Sequence, residues 1–153
     1  PLHGTSIEEY NEVINTNLFS SFYLLSTFAK RMKNGSALFF SSVAASLGLS
    51  NHEVISAAKS GIEGFVRSSA ATYSKDNLRV NAIAPSIMES NMSKKILSTE
   101  QAVEISKSMH PIPKIGTYDD ILPVVRWLMS DDAEWVTGQT INIDGGLSKI
   151  KPR

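Results

Sequence analysis

The chain contains no cysteine, which excludes disulfides, thiolate nucleophiles and cysteine-ligated metals. Neither sign of charge is in excess: fifteen lysines and arginines balance fifteen aspartates and glutamates. That removes the electrostatic reason to expect nucleic acid or an anionic membrane as the main partner. The basic residues are scattered and not interleaved with aromatics, unlike a single-strand binder. No apolar run approaches the roughly eighteen residues of a membrane-spanning helix, and no basic-then-apolar signal pattern opens the sequence. The expectation is a soluble, cytoplasmic protein. The nine glycines never form a G-x-G-x-x-G turn, so the usual pyrophosphate-binding fingerprint is missing. What remains is 153 residues with 42% hydrophobic and 20% charged content, enough for one domain.

Hydrophobic periodicity lays out the order of elements. Ser6-Ile7-Glu8-Glu9 is a capping box that opens a long helix expected over 6–32. Ile14, Leu18, Phe22, Leu25, Ala29 and Met32 recur along it at helical spacing, and Val13, Leu24 and Phe28 widen the stripe. A helix this apolar must bury two sides. After Gly35, the run Ala37-Leu38-Phe39-Phe40-Ser41 reads as a strand covered on both faces. A second helix is expected over about 54–73, with Val54, Ala58, Ile62, Phe65, Val66 and Tyr73 on its apolar face. A second strand follows at 78–84, stopped by Pro85. Residues 86–116 read as a long, irregular or weakly helical loop of the kind that usually carries function. Thr117 and Asp120 cap a third helix to Met129, which Pro123 deprives of one donor, and Thr140-Ile141-Asn142-Ile143 forms a last strand before Gly145-Gly146. Alternating helices and strands imply an α/β fold with a parallel sheet.

Three polar residues sit where the pattern wants apolar ones. Asn17 lies inside the stripe of the first helix, where a buried amide needs a hydrogen-bond partner or serves a function. Lys59 falls within the apolar arc of the second helix; its ammonium either meets an anion, a carbonyl or a ligand hydroxyl, or snorkels outward. Ser41 and Ser42 lie at the carboxyl end of the first strand, the edge where open parallel sheets gather ligands. Ile55 stands four residues before Lys59 and so shares its helix face. His52-Glu53 opens like a zinc-binding H-E-x-x-H, but Ser56 holds the second histidine position and no metal site is expected.

This constellation resembles the short-chain dehydrogenase/reductase family. The resemblance rests on Asn17 within Asn15-Thr16-Asn17-Leu18, on Ser42 thirteen residues before Ile55, and on Lys59. It continues through Arg79-Val80-Asn81-Ala82-Ile83-Ala84-Pro85 and the stretch to Met92. Val136-Thr137-Gly138-Gln139 leading to Asp144-Gly145-Gly146 completes it, so nearly the whole chain is covered in order. It implies the C-terminal half of a Rossmann-type doubly wound sheet, with three parallel strands and three main helices. It also implies an oxidoreductase moving hydride between the nicotinamide of NAD or NADP and a small carbonyl or alcohol. By the same resemblance Asn17, Ser42 and Lys59 are the catalytic residues: Asn17 holds a relay water, Ser42 binds the substrate oxygen, and Lys59 holds the nicotinamide ribose. Pro85, Ser86, Met88 and Ser90 lie along the cofactor, residues 86–110 are the mobile part of a substrate lid, and the helices 7–32 and 54–73 pair with their copies in a homodimer or homotetramer.

Three departures modify that expectation. The family's tyrosine position is held by Ile55, which has no proton to give; general acid catalysis is worth about 10²–10⁴ in rate. His52, three residues earlier, is the best substitute, because an ordinary imidazole titrates near neutrality. Ser86 replaces the glycine usual after the proline. The glycine-rich first half of the family is also missing, so residues 1–153 are expected to be a single partial domain, a piece of a longer chain. Two functions follow: an oxidoreductase impaired at its acid, or a catalytically silent protein that keeps the fold for binding and assembly.

Overall fold

The computed structural model describes residues 2–151. Its framework is a three-stranded parallel sheet of β1 (Ser36–Phe40), β2 (Arg79–Pro85) and β3 (Thr140–Ile143), with β2 in the middle. Ala37 pairs with Val80 and Phe40 with Ile83; on the other side Ile83 pairs with Ile141. The α/β expectation therefore holds, and the three strands fall within a residue or two of where the apolar runs put them.

Helices cover both faces because β2 is apolar on both. Val80 and Ala82 point to one side and pack with Leu25, Ala29, Ile62, Val66 and Ala70 from the helices there. Ile83 points to the other and meets Ile121, Leu128 and Ala133, with Leu38, Ile141 and Ile143 around them. The first layer comprises α1 (Ile7–Ile14), α2 (Ser20–Phe28) and α3 (Glu53–Tyr73); α5 (Tyr118–Met129) lies on the opposite face, with α4 (Glu100–Ser108) ahead of it in the chain. The capping boxes anticipated at Ser6/Glu9 and Thr117/Asp120 are both formed.

Three details differ from the sequence expectation. The first helix is not one α-helix over 6–32: a π turn at Asn15–Phe19 separates α1 from α2, and the α-helical part ends at Phe28 before a short 3-10 turn. The wide stripe also splits, with Leu25 and Ala29 buried while Leu24 and Phe28 remain about half exposed. Residues 86–116 include the regular helix α4, begun by the Thr99 hydroxyl accepting from Ala102 N–H, so a fourth main helix joins the three expected. The chain reversal before β1 is made by Asn34 (φ 57°), not by Gly35. Asparagine tolerates that left-handed conformation because its side chain bonds locally, and here its Oδ1 accepts from Nδ2 of Asn77, itself left-handed.

Asn81 is the fully buried polar residue of the central strand. Its Nδ2 donates to Val136 O at 2.8 Å and its Oδ1 accepts from Gln139 N–H at 3.0 Å. One side chain thus fixes the turn that delivers β3. Replacing it by leucine leaves a part-buried carbonyl and a part-buried N–H without their side-chain partner, each worth up to about 1–3 kcal/mol. Asn81→Leu is expected to lower unfolding free energy by about 2–5 kcal/mol in urea titrations; a change within error would show that the turn is held elsewhere.

Candidate active site

The carboxyl end of β1 is fastened to α3 by one polar stripe. Ser56, Lys59, Ser60 and Glu63 follow the i, i+3, i+4, i+7 spacing of a single helix face. Ser56 Oγ donates to Ala44 O at 2.6 Å and Ser60 Oγ to Ala45 O at 2.8 Å. Glu63 Oε1 accepts from the buried Ser41 hydroxyl at 2.9 Å, and Lys59 Nζ donates to Phe40 O at 2.9 Å. The segment leaving β1 is therefore held to the first half of α3 by all four side chains of that face.

Ser42 sits inside that clamp. It lies two residues beyond the end of β1, which stops at Phe40, and it caps the short turn Val43–Ala45 by accepting from Ala44 N–H at 3.2 Å. Accepting that bond leaves its own O–H to donate outward. Lys59 is half-buried and bonded to one neutral carbonyl, with no carboxylate paired to it among the described residues. Burial holds its pKa below the ordinary lysine value. An ammonium carries three donors, so two remain for a ligand. Lys59 and Ser42 are thus carried on segments clamped together, and both residues are partly buried.

Ile55 lies one turn before Lys59 on α3, half-buried, with no polar atom to offer. His52 precedes α3 and is exposed; its Nδ1 donates to Ser50 O at 2.8 Å, so the neutral ring presents Nε2 only as an acceptor. Asn17 is half-buried in the π turn, where its Nδ2 donates to Val13 O at 3.0 Å. The next residue, Leu18, packs so closely on α3 that a Cβ at Gly61 would come within 2.9 Å of it. Asn17 is thereby set beside the α3 segment that bears Lys59, although no direct bond joins them.

The second wall follows β2. Pro85 is its last residue, and Ser86 N–H donates to Ile143 O at 3.2 Å. Met88 forms a parallel bridge with Gly116, so the two ends of the 86–116 segment meet. Ser90 is held by Ser93, whose buried hydroxyl contacts Met88 O at 2.5 Å. A cavity of about 220 Å³ lies here, lined by Ser86, Met88, His110, Ile112, Asp144 and Gly145 among others. His110 was not anticipated from the sequence; it is buried and its Nε2 is 2.7 Å from Ser86 Oγ. The polar stripe on α3 was also missed, although its spacing was readable in a search for polar rather than apolar periodicity.

A parallel sheet between two helical layers, with a half-buried lysine and a serine at the carboxyl edge, defines a Rossmann-type α/β protein. A family model described as enoyl-(acyl carrier protein) reductase matches residues 1–148. The chain is 34% identical over 143 residues to the 3-oxoacyl-[acyl-carrier-protein] reductase of Thermotoga maritima, covering 92% of the chain and 57% of that protein. It is 32% identical over 151 residues to a chloroplastic tropinone reductase homolog of Arabidopsis thaliana, covering 97% and 47%. A 4-hydroxyisoleucine dehydrogenase mutant complexed with NADH and succinate superimposes with a TM-score of 0.93 at 27% identity, over 99% of the chain and 64% of that structure. The chain belongs to the short-chain dehydrogenase/reductase family, a family of oxidoreductases, and matches its C-terminal region. It spans about half the length of the curated relatives it matches.

At the rim of the cavity, Lys114 Nζ donates to Asp120 at 2.5 Å, and Thr117 adds its N–H at 2.8 Å and hydroxyl at 2.9 Å. The lysine bond first, then the two from Thr117, lower the Asp120 carboxyl from 3.8 to about 2. A carboxylate depressed in the fold stabilises it above the unfolded pKa, and the contribution is lost as pH falls through the folded value. Between about pH 4 and pH 2 the wild-type urea midpoint should therefore fall more steeply than that of Asp120→Asn; parallel curves would show that this carboxylate is not coupled to folding.

Proposed function

We propose that this chain carries the nicotinamide-binding and carbonyl-binding part of an NAD(P)-dependent oxidoreductase, a single partial domain whose remaining cofactor contacts come from outside these residues. The observation that carries the reading is Lys59: a half-buried ammonium with spare donors and no carboxylate, clamped to the segment that bears Ser42. That donor set fits the vicinal hydroxyls of a nicotinamide ribose. Nothing among the described residues distinguishes NAD from NADP. The outer edge of β1 pairs with no strand among the described residues, which is consistent with a sheet that continues there.

When bound, the nicotinamide supplies or accepts the hydride. Ser42 donates its free O–H to the oxygen of a small carbonyl or alcohol, and a fixed donor of this kind stabilises the negative charge that develops there. Lys59 orients the ribose. Asn17, in the widened turn beside α3, is the position for a water between Lys59 and solvent. Pro85, Ser86, Met88 and Ser90 form the wall along the cofactor, and residues 86–116 close over the substrate. Ile55 breaks the sequence of proton donors, so turnover is slow or absent; His52 is the substitute, as an imidazolium whose Nε2 would donate.

The second reading, a catalytically silent binding and assembly protein, is favoured by an open apolar row. Phe19, Tyr23, Leu24 and Phe28 are about half exposed or more along the π turn and α2, a grouping that suits contact with another copy. We propose a cytoplasmic homodimer or homotetramer built on this row.

Titrating the full-length protein with NADH and NADPH tests the main reading: Lys59→Met should weaken binding at least about tenfold, the loss of a charged hydrogen-bond donor. Wild-type protein binding neither form would overturn it. Ile55→Tyr should raise reductase turnover by about 10²–10⁴; measurable wild-type turnover abolished by His52→Ala would overturn the silent reading. Light scattering should give a dimer or tetramer that Leu24→Glu dissociates, and a monodisperse wild-type monomer would contradict the assembly.

A further inference from the structure

The cavity between the residues after β2 and the turn after β3 brings a hydroxyl, an imidazole and a carboxylate together, from Ser86, His110 and Asp144. Ser86 Oγ lies 2.7 Å from Nε2 of His110, and His110 Nδ1 lies 2.7 Å from Ser106 O. A carbonyl can only accept, so Nδ1 of the neutral ring carries the proton and Nε2 accepts. The Ser86 hydroxyl is therefore the donor. This is the order of a nucleophile, its base, and a third group that fixes the tautomer of the base.

The ring is held in that state by its surroundings. His110 is only 6% exposed, and a Cβ at Gly145 (φ 58°) would lie 3.5 Å from the histidine Cβ. Ser86 is fixed through its own N–H to Ile143 O. Burial raises the Asp144 pKa, but bonds from Ser148 and Gly146, together with the charge of His110, outweigh that and lower it. A carboxylate thus stands near the imidazole, where it favours the charged ring that forms when Nε2 takes a proton.

Space and a cation complete the arrangement. The cavity, of about 220 Å³, is walled by Met88, Ile112 and Ile143, apolar side chains that suit a short aliphatic chain. Lys114 lines it too and gives one donor to Asp120, which leaves two N–H groups for an oxygen that turns negative.

We propose that Ser86 and His110 form a nucleophile–base pair that hydrolyses small acyl esters, an activity separate from hydride transfer. Ser86 Oγ bonds to the acyl carbon as its proton passes to His110 Nε2. The ester C–O bond then breaks, and the imidazolium gives that proton to the departing alkoxide. Water attacks the acyl-serine in turn, passing one proton to Nε2 and from there to Ser86 Oγ. The net change is ester plus water to acid plus alcohol. No nicotinamide takes part, so the pair stands or falls independently of the proposed cofactor site.

The test uses the full-length protein without cofactor, with p-nitrophenyl butyrate as substrate and diisopropyl fluorophosphate as the serine-directed label. Wild type should release p-nitrophenolate, and the fluorophosphate should stop the release while placing its phosphoryl group on Ser86, located by peptide mass spectrometry. Ser86→Ala should lose both hydrolysis and label. His110→Ala should slow both by about 10²–10⁴, the usual worth of a general base, and free imidazole filling the space should restore labelling of Ser86. Should His110→Ala fail to fold by circular dichroism, Ser86→Ala and the site of the label decide. Absence of label at Ser86 in wild type, or hydrolysis unchanged in Ser86→Ala, would overturn the proposal. A folded His110→Ala that labels at the wild-type rate would overturn it as well.

Discussion

Three backbone carbonyls at and just beyond the end of β1 find donors, and α3 supplies all three from one face. Phe40, Ala44 and Ala45 receive Lys59, Ser56 and Ser60, while Glu63 receives the hydroxyl of Ser41. Of these carbonyls only that of Ala44 belongs to a buried residue, and leaving a buried carbonyl without a donor costs about 1–3 kcal/mol. The stripe also places Ser42 by default. The residue that meets substrate in the proposed mechanism is set by helix side chains serving structural carbonyls, and Lys59 belongs to both groups. Its pKa is lowered because the fold withdraws the ammonium from water without giving it a counter-charge.

The same stripe explains what the sequence made legible and what it hid. Periodicity located α3, β1, β2 and β3 because each buries apolar side chains at a period of its own, and Ala58, Ile62 and Val66 are indeed the buried ones. It placed Lys59 among them and flagged it as misplaced. It did not resolve the π turn at Asn15–Phe19, because a widened turn keeps nearly the same apolar face while changing which carbonyl meets which N–H. Nor did it see helix α4, whose nine residues bury only Ser106 and hold no sustained apolar stripe. His110 stayed invisible for a different reason. Its contact is with Ser86, twenty-four residues away, and no local pattern joins a histidine just past α4 to a serine after a strand.

Glycine positions mark how tightly the second wall is drawn. Gly116 approaches Met88 so closely that a Cβ there would collide with its sulfur, and Gly145 stands against Ile112 O and His110 Cβ. The ends of the 86–116 segment are thus tied to each other by the Met88–Gly116 bridge, to β3 by Ser86 N–H on Ile143 O, and to the turn after β3 by Ile112 N–H on Gly145 O. Between them lie Met92 and Ile96, both well exposed.

Ile55 separates binding from chemistry in a way the geometry makes concrete. The hydroxyl of Ser42 and the donors of Lys59 are held by contacts that do not involve residue 55, so losing a phenol there removes no support from either. In the proposed oxidoreductase, the absent phenol would be a missing general acid, worth roughly 3–5 kcal/mol of barrier. Ser42 can stabilise the developing charge but, with its oxygen already accepting from Ala44, it has no second proton source behind it. In both proposed readings, the oxidoreductase and the binding protein, the supports of Ser42 and Lys59 are the same, and residue 55 on α3 takes no part in them.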